Sequence, residues 1–573
     1  MSLWIPLTVA ALLFAVAYRV YGGFLARAFR LDPQAPTPAE TLRDDVDYIP
    51  TEPKFLLGQH FSAIAAAGPI VGPILAGAMF GWLPAFLWIL MGAIFIGGFH
   101  DMASLVASIR HKARSIADVV QENMSRRSYL VFLGFIWLAL VYIIVAFADI
   151  TASSFVGVQK LENGQELPGA AIATSSLLYL ILPVLMGLAL KFTKISLAWA
   201  TVIFVPLVGL AIWVGPFIPF DLAAILQVET LTAQKIWVGL IVVYCVAAAM
   251  APMWILLQPR GHLGGIFLYF FLIVGVLGLF MGGQSIQFPA FTSWTQANGD
   301  TLAPFLFITI ACGAVSGFHS LIASGTTSKQ LRRETDAKPI GYGTMLLEGL
   351  VAILALSCVM MLAQGDPALK GAPNMIFAHG IGGFLAAAGI PLQIAIAVML
   401  MAFTTFVYDT LDVCTRLGRY IIQELTGWKD RRGAFLGTAL TALVPLFFVW
   451  QTAPGPGGAV QPAWRVFWGL FGASNQLLAA LTLLGVTVWL WKTEKARWAL
   501  LAAGVPCVLM YAMSCWALVI QIQRALKAPE IPDVVAMVAA ILIALAGLML
   551  LEAIRAFRPS GPRGPVLTPS PSA

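Results

Sequence analysis

The sequence predicts an all-α polytopic membrane protein, and three observations predict it. Charged residues make up only 11% of the 573 positions (34 Lys+Arg, 27 Asp+Glu), where soluble domains carry about 25%. Apolar residues reach 60% and mean hydropathy is +0.87, so a water-facing surface cannot be assembled from this chain. The apolar residues also fall into about fifteen runs near the ~20 residues that cross a ~30 Å hydrocarbon core. Soluble multidomain, disordered, collagenous and disulfide-scaffold classes are excluded. The net charge of +7 would point to nucleic acid in a soluble chain. Here it is expected to record basic cytoplasmic loops, with the lipid bilayer as the surrounding medium and no nucleic-acid partner.

The runs are, in order, 3–26, 61–81, 83–108, 130–157, 172–190, 195–215, 236–257, 263–283, 305–325, 340–363, 389–410, 433–451, 464–491, 499–523 and 532–554. The first contains Ala15-Val16-Ala17, which mimics a cleavage site, but no Lys or Arg precedes it. It is expected to be a retained span. Residues 61–100 carry no Lys, Arg, Asp or Glu; they are too many for one crossing, so Gly81-Trp82-Leu83-Pro84 is read as a tight outer turn. Between 364 and 388, Ile376-Phe377-Ala378-His379-Gly380 suggests a half-helix at the outer face. The Pro/Ser-rich end, 555–573, is expected to be a disordered cytoplasmic tail. The six cysteines form no CxxC pair and suit small buried hydrophobes.

With the N-terminus outside and alternating crossings, 28 of the 34 basic residues fall on the cytoplasmic side. That asymmetry predicts an outside N-terminus and a cytoplasmic C-terminus. Arg260 counts among these loop residues, and Asp412 reads most simply as interfacial.

Polar groups within a bilayer are costly and need a reason. Asp101, Asp149, Glu348, Asp409 and Asp412 lie in or at the ends of spans. Asp101 follows His100 and precedes Arg110 by two to three turns, so a structural His–Asp or Asp–Arg pair competes with a role in proton coupling. Adjacent helix positions point apart, which argues against His100–Asp101 as the catalytic pair of a membrane enzyme. Asp149 sits among Ala146, Ala148, Thr151, Ala152 and Ser153, a face suited to a cavity wall or a close helix contact. His60 and His319 are each followed by a stretch of small residues, His319 directly by Ser320. Each is a hydrogen-bonded core residue or a proton carrier.

The strongest local signal is Gly68-Pro69-Ile70-Val71-Gly72-Pro73. Two Gly-Pro pairs cannot continue a regular helix, because each proline removes a donor and clashes with the preceding turn. The freed backbone must be buried in protein or line a cavity. A broken helix that holds substrate or a cation is the functional reading; a kinked packing helix is the simpler one. Gly313, Ser316, Gly317, Ser320, Ser324 and Gly325 offer a second break in 305–325. These two spans run in opposite directions, as an inverted repeat requires. Counting from them gives halves at about 61–215 and 305–491, with two spans at 236–283 inserted between them. Peripheral spans lie at 1–30 and 499–554, around a core of 55–490. Thr404-Thr405, with Tyr408-Asp409 a turn later, could supply oxygen ligands to a cation or simply bond back to their own helix.

Several motifs resemble the carbon starvation protein A family. They are His60-Phe61-Ser62-Ala63-Ile64, Gly68-Pro69-Ile70-Val71-Gly72-Pro73, Gly81-Trp82-Leu83-Pro84, Gly98-Phe99-His100-Asp101 and Arg110-His111-Lys112-Ala113-Arg114-Ser115-Ile116. To these are added Thr410-Leu411-Asp412, Thr415-Arg416-Leu417-Gly418-Arg419-Tyr420 and Leu470-Phe471-Gly472-Ala473-Ser474-Asn475-Gln476-Leu477-Leu478. The resemblance runs from about 55 to 480. It implies an inner-membrane transporter related to the amino acid/polyamine/organocation superfamily. That superfamily has two inverted five-helix halves with broken first helices, and family members are linked to uptake of peptides during carbon starvation, or of pyruvate. The superfamily's cation site would fall on Ala65 to Gly68 and Thr404-Thr405.

Together these observations predict a secondary transporter for a small peptide, or for pyruvate or another small carboxylate. Transport would be driven by H⁺ or Na⁺ with no other cofactor or metal. Substrate contacts are expected at His60, Gly68, Pro69, Gly72, Pro73, Asp149, His319 and Ser320. Coupling is expected at Ala65, Gly68, Thr404, Thr405, Asp409, His100 and Asp101. A membrane enzyme is disfavoured, because the spans hold no HExxH, GxSxG or CxxC. A non-transporting nutrient sensor would need a partner to signal.

Overall fold

The computed structural model describes residues 1–557 apart from 46, 161–165, 253, 297, 388, 429, 452, 455–459, 495–496 and 528–532. Most of the expected tail therefore lies outside the described residues. The helices are α1 (Trp4–Ala28), α2 (Pro53–Ile64), α3 (Gly68–Phe80), α4 (Trp82–Arg110, with a π-helical segment at Gly92–Gly97), α5 (Ile116–Asn123), α6 (Arg126–Ser153), α7 (Gly169–Phe192), α8 (Leu197–Val214), α9 (Thr230–Met250) and α10 (Leu257–Met281). They continue as α11 (Leu302–Thr309), α12 (Gly317–Ile322), α13 (Glu334–Met360, with short 3₁₀ and π stretches at its start), α14 (Pro373–Ala387), α15 (Leu392–Thr426), α16 (Arg431–Trp450), α17 (Ala463–Glu494), α18 (Arg497–Lys527) and α19 (Asp533–Phe557).

Among the described residues, thirteen helices are long and apolar enough to cross a membrane. The pair α2 and α3, bent by 47°, forms a fourteenth crossing. The run at 305–325 is broken further: α11 and α12 are separated by the non-helical residues 310–316. The expected outer half-helix is α14.

The first break lies one turn before the Gly-Pro pairs, not at them. Pro69 has no N–H to give the carbonyl of Ala65, four residues back, so α2 cannot continue. Ala65 instead adopts φ −82°, ψ 65°, and the Ala66 N–H bonds to the Ile64 carbonyl at 2.9 Å. This is an inverse γ-turn. Pro69 then stands in the first turn of α3, where a proline is tolerated, and Pro73 lies inside α3. The second break closes with a side chain. Ser316 is extended, and the Phe318 N–H at the start of α12 is capped at 2.9 Å by Asn475 Oδ1 from α17.

The two broken spans cross at the glycines. A Cβ on Gly68 would collide with the Cys312 side chain, and one on Gly72 with the carbonyl of Thr309. Gly68 and Gly72 thus allow α3 to lie backbone-close against the end of α11 and the 310–316 break.

Packing relates the halves. In the second half, α17 packs on the broken α11–α12 pair and on α6, while α16 packs on α15 and α6. In the first half the matching contacts belong to α10, on α2 and α15, and to α9, on α6 and α15. The helices α7 and α8 pack chiefly on each other and only at the margin of α10 and α15. By these contacts the first half is α2–α3, α4, α6, α9 and α10, and the hairpin α7–α8 is the inserted element. The expected placement of the insertion at 236–283 is corrected. Inserting a hairpin leaves the direction of every other span unchanged, so loop charge could not distinguish the two assignments.

Replacement of Gly72 by Val is expected to lower the thermal midpoint of detergent-purified protein by several degrees, the scale of a 1–3 kcal/mol overpacking penalty. Gly134→Ala, where an added Cβ meets nothing within 4 Å, is expected to leave it unchanged.

Candidate functional site

Two buried polar clusters flank the broken spans. In the first, His319 of α12 stands between two carboxylates from different helices. Its Nδ1 lies 2.8 Å from Asp101 Oδ2 on α4, and its Nε2 lies 3.2 Å from Glu348 Oε2 on α13. The second contact has the distance of an ion pair without the angle of a hydrogen bond. The other oxygen of Asp101 accepts from His100 Nδ1 at 2.8 Å. All four side chains are fully buried. A neutral imidazole has one donor nitrogen and one acceptor nitrogen. With a carboxylate oxygen before each nitrogen, His319 is matched on both sides only as imidazolium, or when one carboxyl carries a proton. The arrangement therefore holds at least one proton between three helices. Of the two structural pairs that the sequence offers for Asp101, the one with His100 forms. Arg110 pairs not with Asp101 but with Glu334, at 2.9 Å.

The second cluster joins α2, α9, α10 and α15. Arg260 on the first turn of α10 is fully buried, with its Nε 2.5 Å from Asp409 Oδ1. Its Nη1 contacts Asp412 and Tyr244, and Ser62 of α2 donates to Asp409. Tyr244 of α9 also donates to Asp412 at 3.1 Å. Nearby, Thr410 donates to the Ala63 carbonyl at 3.2 Å. Arg260 is therefore not a loop residue, and Asp412 is not interfacial. A charge in this setting needs a partner and hydrogen bonds; this guanidinium has two carboxylates one helical turn apart.

The other expected site residues distribute as follows. His60 is buried at the end of α2, its Nδ1 2.8 Å from Thr327 Oγ1. Ala65 forms the first break, and Gly68, Pro69, Gly72 and Pro73 serve the crossing of the broken spans. Asp149 accepts from Gln234 Nε2 at 2.9 Å and from the Trp464 backbone at 2.8 Å. It clamps α6, α9 and α17 together and joins neither cluster. Ser320 donates to the Gly317 carbonyl at 2.7 Å and meets Thr482 at 3.1 Å, a core contact of α12 with α17. Thr404 bonds back to the Met401 carbonyl at 2.9 Å and meets Ser176 at 3.2 Å. The α2–α15 contact falls at Ser62–Asp409 and Ala63–Thr410, about a turn beyond the fully buried Thr405.

The family model for the carbon starvation protein CstA matches residues 1–369 and 366–517. The chain belongs to the CstA family. A relative named peptide transporter CstA, from Bacillus subtilis (strain 168), is 33% identical over 87% of each chain. The pyruvate/proton symporter BtsT of Escherichia coli (strain K12) is 32% identical, over 90% of this chain and 81% of its own. A relative from Helicobacter pylori (strain J99 / ATCC 700824), also named peptide transporter CstA, is 31% identical over 91% of this chain and 82% of its own. Among solved structures, the chain is similar to MhsT in complex with L-phenylalanine, with a TM-score of 0.49 and 13% identity over 82% of this chain and 98% of that one. This CstA-family chain is a multi-pass membrane transporter.

Sequence reasoning left Arg260 and Glu348 out of the site. Arg260 was legible only as one charge near a run's edge. Glu348 stood out as a carboxylate inside a span, but nothing along the chain pointed it at His319.

Arg260→Met is expected to destabilise the purified protein strongly, by about 3–5 kcal/mol, because it strands two buried carboxylates. The triple variant Arg260→Met/Asp409→Leu/Asp412→Leu is expected to recover most of the thermal midpoint.

Proposed function

We propose that this protein is a proton-coupled symporter that takes up small peptides across the bacterial inner membrane, with its N-terminus outside and its C-terminus in the cytoplasm. One observation carries the coupling: His319 faces Asp101 on one ring nitrogen and Glu348 on the other. That group cannot lose its shared proton without setting a nitrogen lone pair against a carboxylate, and it spans α4, α12 and α13. Movement of the broken α12 would change the spacing, and with it the hold on the proton. Entry of one proton contributes about 2.3 kcal/mol per 100 mV of membrane potential, enough for useful accumulation.

Sodium is disfavoured by Arg260. Where α2 meets α15, the guanidinium already supplies a positive charge to Asp409 and Asp412, which removes the electrostatic reason for a bound cation. This reading differs from the cation site on Ala65 to Gly68 and Thr404-Thr405 that the family resemblance implies.

Peptide is favoured over pyruvate by a cavity of about 420 Å³ bordered by both signs of charge, Arg114 and Lys329 with Asp47 and Glu424. Its size falls in the range of small-molecule sites, and its lining suits a zwitterion with separated ends. Pyruvate or another small carboxylate is the second reading, supported by the relationship to a symporter of that name.

In proteoliposomes, an inward acid gradient is expected to drive uphill uptake of radiolabelled dialanine, and a sodium gradient alone is expected to drive none. Glu348→Gln is expected to abolish proton-driven accumulation while gradient-free exchange of dialanine continues. Accumulation on a sodium gradient alone, or undiminished proton-driven accumulation in Glu348→Gln, would overturn the proposal. A panel that moves pyruvate but no dipeptide would transfer it to the second reading.

A further inference from the structure

The coupling cluster is sealed. His100, Asp101, His319 and Glu348 are all fully buried, so a proton bound there has no direct exchange with water. Between α2, α10, the segment that continues α12 and α15 lies a narrow recess bordered by Gln59, His60, Gln258, Thr326, Gln330 and Asp409. Its volume is about 40 Å³. A water needs roughly 10–15 Å³ by the same measure, so the recess has room for a few waters and none for a peptide. Three glutamines and a threonine offer both donors and acceptors along it. Gln59 and Gln258 are only partly buried, on the side of the chain that carries the basic loops.

Two titratable side chains border this recess. Asp409 is committed to Arg260 and Ser62. His60 is not similarly held: Nδ1 meets the neutral Thr327 hydroxyl at 2.8 Å, and Nε2 is buried with no hydrogen-bond partner among the described side chains. The helix that carries His60, α2, packs on α12 and the segment that continues it, and on α13. The buried titratable or charged groups on the elements packed against α2 include His319 of α12, which holds Asp101 of α4, Glu348 of α13, and the Asp409–Arg260 pair of α15 and α10.

We propose that His60 is the proton relay between the buried His319 cluster and water in this recess. A proton leaving the cluster forms a new N–H bond on neutral imidazole His60. The resulting imidazolium then gives one proton to a water of the recess, and His60 returns to neutral. Imidazole suits this step because it can gain a proton at one nitrogen and release one from the other. His60 on this view sets how fast the cluster exchanges its proton, not how many protons accompany each substrate. The inference rests on the proposed coupling role of His319, Asp101 and Glu348.

The test uses full-length protein in proteoliposomes with radiolabelled dialanine, reading three quantities: initial rate of proton-driven uptake, final accumulation ratio, and gradient-free exchange. His60→Ala is expected to slow the initial rate at least about tenfold, in keeping with loss of a positioned proton carrier, with the accumulation ratio and exchange unchanged. Removal of the ring enlarges the recess by the volume of an imidazole, so added imidazole on the basic-loop side is expected to restore the rate several-fold. His60→Gln, which keeps a polar side chain, is expected to show the same slow rate at a wild-type thermal midpoint. A wild-type rate in both variants would overturn the relay. So would a slow rate that imidazole does not change, a lost accumulation ratio with exchange intact, or a loss of exchange in well-folded His60→Gln. Glu348→Gln separates the two levels. If it abolishes coupling and the His60 variants behave as wild type, the relay alone fails. If it leaves coupling intact, the coupling reading itself fails.

Discussion

Arg260 sits between two aspartates on the neighbouring helix α15, with Tyr244 and Ser62 completing the set. A guanidinium removed from water is tolerable only when its charge is met within the protein; here two carboxylates of α15 meet it, with Tyr244 of α9 on Nη1 and Ser62 of α2 donating to Asp409. That requirement fixes how four helices dock. It holds the end of α2 next to the break at Ala65 to a long and almost wholly buried helix. It also places α10 against both, which is the position that α17 occupies about the other broken span. The pairing of the two halves follows from this contact more directly than from any resemblance of sequence between them.

The two polar clusters differ in a way that bears on transport. The Arg260 group has two carboxylates for one permanent cation, because arginine does not lose its proton under any physiological condition. The His319 group also has two carboxylates, but its cation can be discharged. One cluster is therefore suited to holding helices together and the other to changing state.

The span count and the inverted directions were legible because composition and loop charge act over whole helices and need no tertiary knowledge. The first break was legible from the Gly-Pro pairs, but displaced, since a proline's missing donor is felt by the carbonyl four residues earlier and so at Ala65. The inserted hairpin was not legible: α7–α8 and α9–α10 are equally apolar and each reverses direction twice. Arg260 was hidden by its neighbours in Gln258-Pro259-Arg260-Gly261-His262, which read as a loop although the helix begins at Leu257. His319, Asp101 and Asp409 were each identified as costly residues, but their partners lie at sequence separations of 218 for His319 with Asp101 and 149 for Arg260 with Asp409. Asp149 was identified on the same grounds, and its carboxylate is held by Gln234 and the Trp464 backbone, apart from both clusters.

The glycines at the crossing of the broken spans have a mechanical consequence. At Gly72, α3 touches the backbone of Thr309 and Ile310 with no side chain between them, and at Gly68 it seats the short Cys312 side chain, so the crossing has few rotamers through which to slip. Two elements joined in this way tilt as one lever. Reorientation of the bundle would therefore be carried by the crossed pair as a unit, and the compliance would reside where hydrogen bonding has already been interrupted, at Ala65 to Ala67 and at 310–316.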